Sequence, residues 1–118
     1  MDDAIDIKQL QSYGMAIEDK ANNIVRQLVQ IYLEDAPDLL QTIELAIYQE
    51  DIALLKRAVH NLKGSSASLG AMTLASICQE LETLAKTGRF DHADKTFSRL
   101  KTEYVRVETA LQTQNVWT

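Results

Sequence analysis

The sequence predicts an all-α domain, an antiparallel four-helix bundle with a short additional N-terminal helix. Three observations lead there. Glycine and proline supply only five of the 118 residues, far below the roughly 12% of average usage, so the chain lacks the turns that a β-sandwich or barrel requires. Apolar residues recur at spacings of three and four, the signature of helices with one buried face. The periodic stretches are separated by short links, which makes chain neighbours antiparallel. A chain of this length forms one domain, 1–118, and five apolar stripes suffice to bury its core.

The elements follow in order. Ile5, Leu10 and Tyr13 mark a short helix over about 5–13, with Gly14 as its stop signal. From about Ala21 to Tyr48 the apolar positions Ile24, Leu28, Ile31, Tyr32, Leu39, Ile43, Ala46 and Ile47 define a long helix with one buried face. Pro37 removes one backbone donor inside it, which predicts a kink near Asp35 and Ala36 or two abutting helices. Asp51 is placed to cap the next helix, whose stripe is Ile52, Leu55, Val59, Leu62, Ser66 and Leu69, with Gly70 as its stop. A helix over about 71–87 follows, lined by Leu74, Ile77, Cys78, Leu81, Leu84 and Ala85 and ended by Gly88. Asp91 is then expected to cap the last helix, lined by Ala93, Phe97, Leu100, Tyr104, Val107 and Leu111. The tail, 112–118, is expected to fray.

Composition narrows the function classes. Hydrophobic residues make up 46% and charged residues 25%, a globular mix. No run of about 18 apolar residues exists to span a membrane, and the acidic start lacks the apolar core of a secretory signal. A lone Cys78 makes no internal disulfide, which fits a reducing, cytoplasmic setting. The net charge of −5 disfavours non-specific nucleic-acid binding. Two histidines and scattered carboxylates have no metal-site spacing, and no glycine-rich phosphate loop is present to bind ATP. The charge is uneven, however. Residues 52–79 hold Lys56, Arg57 and Lys63 and no acid, while the rest of the chain is strongly acidic. That pattern suggests one face meant for an acidic partner.

The informative residues lie inside that segment, in His60-Asn61-Leu62-Lys63-Gly64-Ser65-Ser66. His60 sits about 100° round the helix from the core residue Val59, so it reaches solvent at the edge of the stripe. Lys56, Lys63 and Gly64, at i−4, i+3 and i+4, share its face. A mid-helix glycine costs about 1 kcal/mol relative to alanine, yet the apolar pattern runs straight through Gly64. It clears space beside the imidazole. A nucleophilic ring with room beside it and a mobile cation nearby suits a phosphoryl group carried on nitrogen. An imidazole's reference pKa of about 6.5 leaves the neutral form abundant at cellular pH. The plainer reading is an ordinary surface histidine, beside a glycine that serves close helix packing. His92 has no such neighbours, and Cys78 reads as a core residue.

This motif, followed by Leu69-Gly70 and Cys78-Gln79-Glu80-Leu81-Glu82, resembles the histidine phosphotransfer (HPt) family of multistep phosphorelays. The resemblance implies a helical bundle in which His60 is phosphorylated on Nε2, Lys63 steadies the phosphoryl group and Gly64 lets a receiver domain approach. Some relatives place a Gln on the next helix beside the imidazole and an Arg one turn on; this chain has Glu82 and Lys86. Glu82 can accept a hydrogen bond from Nδ1–H, or it is a solvated carboxylate. Ser65 is a candidate phosphate contact and Ser66 a small packing residue.

The expected function is a monomeric phosphoryl carrier between receiver-domain aspartates in two-component signalling, with response-regulator receiver domains and a hybrid sensor histidine kinase as partners. Lys56, Arg57 and Lys63 would assist a largely apolar contact around His60. The chain would have no autonomous kinase activity and no cofactor or metal of its own, the divalent cation belonging to the receiver's acidic pocket. Two rivals are the dimerisation and phospho-acceptor domain of a histidine kinase, and a helical adaptor in which His60 is incidental.

Overall fold

The computed structural model of the chain describes Ala4 and residues 18–113. Four helices follow one another: α1 (Glu18–Gln49), α2 (Ile52–Ser68), α3 (Met72–Thr87) and α4 (Phe90–Thr113). Each packs on its chain neighbour, and α4 closes back on α1. The fold is therefore a four-helix bundle. No helix among the described residues is long and apolar enough to cross a membrane. The short helix expected over 5–13 lies outside the described residues. Gln112 and Thr113 belong to α4; the rest of the tail expected to fray, 114–118, is not among the residues described.

Local chemistry explains where the helices begin and end. α1 runs unbroken through Pro37, so the alternative of two abutting helices does not hold. It ends where Glu50 adopts a left-handed φ of 53°, a conformation that costs a side-chain-bearing residue about 1 kcal/mol or more. That turn lets the Asp51 amide reach back to the Ala46 carbonyl at 2.9 Å, closing off the helix end. Asp51 then caps α2 as expected, its carboxylate accepting from the Leu54 amide at 3.1 Å. Gly70 (φ 79°) and Gly88 (φ 70°) end α2 and α3 in the left-handed turns that glycine enters without a Cβ penalty. α4 starts at Phe90, so Asp91 is a first-turn residue and not the cap. Its charge still favours the positive end of the helix.

The core takes the expected stripes of α2, α3 and α4 almost whole. Leu55, Val59, Leu62 and Ser66 join Leu74, Ile77, Cys78, Leu81 and Ala85, and all six apolar positions expected of α4 are buried. Ile52 of α2 is exposed, and Leu84 of α3 packs only partly buried against the core. The first half of α1 departs further. Ile24, Leu28 and Ile31 are 51%, 39% and 54% exposed, and the buried positions are Val25, Val29, Tyr32 and Ala36. Two adjacent stripes compete here, and a helix docked on the bundle can bury only one. The stripe through Val25 continues in phase to Ile43 and Ile47, whereas the one through Ile24 continues to Asp35 and Asp38, which could not enter a core unpaired.

α1 and α2 are pinned by a buried hydrogen bond between the Tyr32 hydroxyl and Ser66 Oγ at 2.8 Å. Burial pushes the Tyr32 phenol well above its ordinary pKa, so it stays neutral. Tyr104, whose ring lies 6.1 Å from that of Tyr32, has a buried hydroxyl with no hydrogen-bond partner among the described residues. The two tyrosines should therefore respond oppositely to loss of the hydroxyl. Tyr32→Phe strands Ser66 and should cost about 1–2 kcal/mol in denaturant unfolding, while Tyr104→Phe should be neutral or stabilising. Equal losses at both positions would refute this assignment.

Candidate functional site

The site is built on the seam between α2 and α3. Two pairs set its antiparallel register: His60 faces Glu82, and Lys63, three residues on, faces Gln79, three residues back. His60 lies on the outer edge of α2, its side chain 69% exposed, as its angular offset from Val59 requires. Glu82 lies on the inner edge of α3 and is buried at 8% exposure. It is not a solvated carboxylate. Oε2 stands 3.3 Å from His60 Nδ1, and Oε1 accepts from Lys63 Nζ at 2.6 Å. The Lys63 ammonium holds Glu82 below the ordinary carboxylate value of 4.5, outweighing desolvation, and the hydrogen bond from His60 adds to it. Each oxygen of the buried carboxylate thus faces a donor.

This arrangement bears on which ring nitrogen is free. An ionised carboxylate only accepts hydrogen bonds, so the Nδ1 that bonds to Glu82 carries a proton. In the neutral ring that leaves the lone pair on Nε2. Beside the ring, a Cβ added to Gly64 would meet no heavy atom of the described residues within 4 Å. Among the described residues the glycine therefore serves no close helix packing. It leaves open ground one turn from the imidazole.

The other candidates fall in different places. Lys63 is drawn into the Glu82 bond and also donates to Gln79 Oε1 at 3.0 Å. Gln79 had no assigned role, although its position three residues before Glu82 puts it on the same face. Lys56 is exposed one turn before His60, and Lys86 is exposed one turn beyond Glu82; neither joins the cluster among the described residues. Ser65 Oγ turns back to the Asn61 and Leu62 carbonyls at 3.1 and 3.2 Å, on the side of α2 that faces α1. Cys78 is buried, its thiol pushed up to about 12 chiefly by desolvation, so it is an inert core group. His92 is half exposed beside Asp91. No cluster of three or more metal-ligating side chains occurs among the described residues.

Known proteins share this frame. The family model described as the Hpt domain matches residues 27–110. Histidine-containing phosphotransfer protein 1 of Arabidopsis thaliana is 27% identical over 100 residues, 82% of this chain; the chain spans 65% of that relative's length. Sensor protein TorS of Escherichia coli (strain K12) is 27% identical over 97 residues, covering 82% of this chain and 10% of that protein. The crystal structure of histidine-containing phosphotransfer protein B (HptB) from Pseudomonas aeruginosa PAO1 superposes with a TM-score of 0.82 at 26% identity, covering 92% of this chain and 91% of that one.

Two outcomes follow from the Glu82 geometry. Nitrogen-detected NMR of the imidazole should find the Nδ1–H tautomer in the unmodified protein and a shift toward Nε2–H in Glu82→Ala; an unchanged tautomer would remove Glu82 from that role. Because Glu82's folded pKa is lowered, its ion pair stabilises the fold at pH values above about 4.5 and is lost as pH falls through the lower folded value. Glu82→Gln should therefore be less stable than the original at neutral pH, and the two should converge in acid.

Proposed function

The chain belongs to the Hpt domain family, and from that membership we propose that it relays a phosphoryl group between receiver-domain aspartates through His60. The observation that carries this reading is the exposed His60 ring, with Nδ1 turned to Glu82 and open space at Gly64 among the described residues. The Nε2 lone pair attacks the phosphorus of a receiver's aspartyl phosphate. The phosphorus–oxygen bond breaks and the carboxylate leaves with its electron pair. The ring becomes a phosphorylated imidazolium whose Nδ1–H remains on Glu82, which offsets the positive charge gained. In the second half-reaction an aspartate of another receiver attacks the same phosphorus, and neutral imidazole is the leaving group. No proton has to move in either direction.

Lys63 serves as the charge that steadies the phosphoryl group. At rest its ammonium is held by Glu82 and Gln79, one turn from the ring; a phosphoryl group on Nε2 draws it outward. Lys56 adds positive potential on the same face, and Ser65 lies at its margin. The partners are response-regulator receiver domains and a hybrid sensor histidine kinase, and the setting is cytoplasmic. The divalent cation belongs to the receiver, and the chain is a carrier without kinase activity of its own. A single chain closes the four-helix ring, which supports a monomer over the dimerisation domain of a histidine kinase. The exposed apolar residues Ile24, Leu28 and Ile31 extend the docking face along α1, in keeping with a contact that is largely apolar and transient.

Transfer from a phosphorylated receiver tests this. His60→Gln should keep its helicity and lose all acid-labile, base-stable phosphate; retained transfer would move the site elsewhere. Lys63→Ala should slow transfer or shorten the phosphoryl lifetime. Gly64→Leu should gain up to about 1 kcal/mol of helix stability while losing receiver docking, because its side chain enters space the partner needs. Normal docking by that variant would contradict the clearance reading.

A further inference from the structure

The exposed stripe of α1 changes character along its length. Ile24, Leu28, Ile31, Asp35 and Asp38 follow one another at steps of four, three, four and three, so they form one continuous row on the helix surface. The row begins apolar and ends with two carboxylates. Between it and α2 lies an open groove of about 540 Å³, lined by Leu28, Ile31, Asp35 and Asp38 on one side and by Asn61 and Ser65, among others, on the other. Asn61 directly follows His60, so the groove opens one residue round the helix from the imidazole.

The register set by the Tyr32–Ser66 hydrogen bond fixes the level of the carboxylates. Six residues forward on α1 and six back on α2 bring Asp38 level with His60. Asp35 lies level with Lys63 by the same rule. Neither carboxylate has a cationic partner among the described residues, and no Lys or Arg occurs anywhere from 27 to 55. The docking face is thus two-signed across the imidazole. Lys56 and Lys63 lie with α2 and the α3 seam, Asp35 and Asp38 lie across the groove, and apolar surface fills the groove's far end. Uniform positive charge would attract any acidic surface, but a two-signed face also rejects partners whose charges are misplaced.

Building on the phosphorelay reading above, we infer that Asp35 and Asp38 select among receivers: the receiver surface that docks here seats an apolar side chain against Leu28 and Ile31 and sets a Lys or Arg side chain against the two carboxylates. The pair contributes little to folding, since both side chains are exposed. Its effect lies in encounter and discrimination.

The experiment compares the unmodified chain with Asp35→Asn/Asp38→Asn and Asp35→Lys/Asp38→Lys, using a panel of phosphorylated receiver domains as donors at low and high salt. Phosphoramidate, a small donor that needs no docking face, labels His60 in parallel. The expected result has three parts. The preferred receiver loses about tenfold or more in second-order transfer rate on charge reversal. The neutral variant loses most of the salt dependence. Phosphoramidate labels all three proteins at one rate. Equal transfer by all three proteins at low salt, with His60 still labelled by receivers, would overturn the inference and leave the carrier reading intact. Labelling by phosphoramidate but by no receiver, even in the unmodified chain, would overturn the carrier reading and the inference with it.

Discussion

One buried carboxylate organises the seam on which the candidate site is built. Glu82 is set on the inner edge of α3, where an ionised group survives only if both oxygens are answered. The answers come from opposite ends of one helical turn on α2, Lys63 to Oε1 and His60 Nδ1 to Oε2. The carboxylate thereby does three things at once. It ties α2 to α3 beside the exposed ring, faces the Nδ1 of that ring, and holds the Lys63 ammonium one turn from it. An amide in its place offers one acceptor where the carboxylate offers two, so both tasks could not be met with equal strength.

The bundle exists to hold α2 in a particular rotation. Val59 and Leu62 are fully buried while His60, between them in sequence, is exposed. A rotation of α2 by one residue would carry His60 into the buried place that Val59 now fills. The rotation is fixed from both sides: α3 meets it through the Glu82 cluster, and α1 through the buried Tyr32–Ser66 bond. The Asp51 cap and the left-handed turn at Gly70 fix its ends. With that frame in place, Gly64 can be left without a side chain, and nothing among the described residues fills the space above it.

Much of this was legible in the sequence, for physical reasons that differ from element to element. α2, α3 and α4 each carry one dominant apolar stripe, and the buried residues fall on it almost throughout. The shared face of His60, Lys63 and Gly64 was legible because helical spacing alone sets it. The first half of α1 was misread because it carries two apolar stripes one residue apart. The sequence held the deciding signal in Asp35 and Asp38, which continue the Ile24 stripe and disqualify it from the core. Asp91 looked like a cap because it follows a glycine turn closely, but Phe90 already belongs to α4. What spacing could not supply is the reach between helices. That Glu82 is buried rather than solvated, that Gln79 shares Lys63, and that Ser66 pairs with Tyr32 all depend on how neighbouring helices are registered, which no single-helix pattern contains.

The central claim is that Glu82 leaves Nε2 of His60 as the nitrogen that receives phosphate. The most direct measurement is phosphorus–nitrogen coupling in the isotopically labelled chain after incubation with a phosphorylated receiver domain. The account predicts a single phosphorus coupled to Nε2 of His60, with a proton retained on Nδ1. Phosphate on Nδ1, on His92, or on no histidine at all would contradict it.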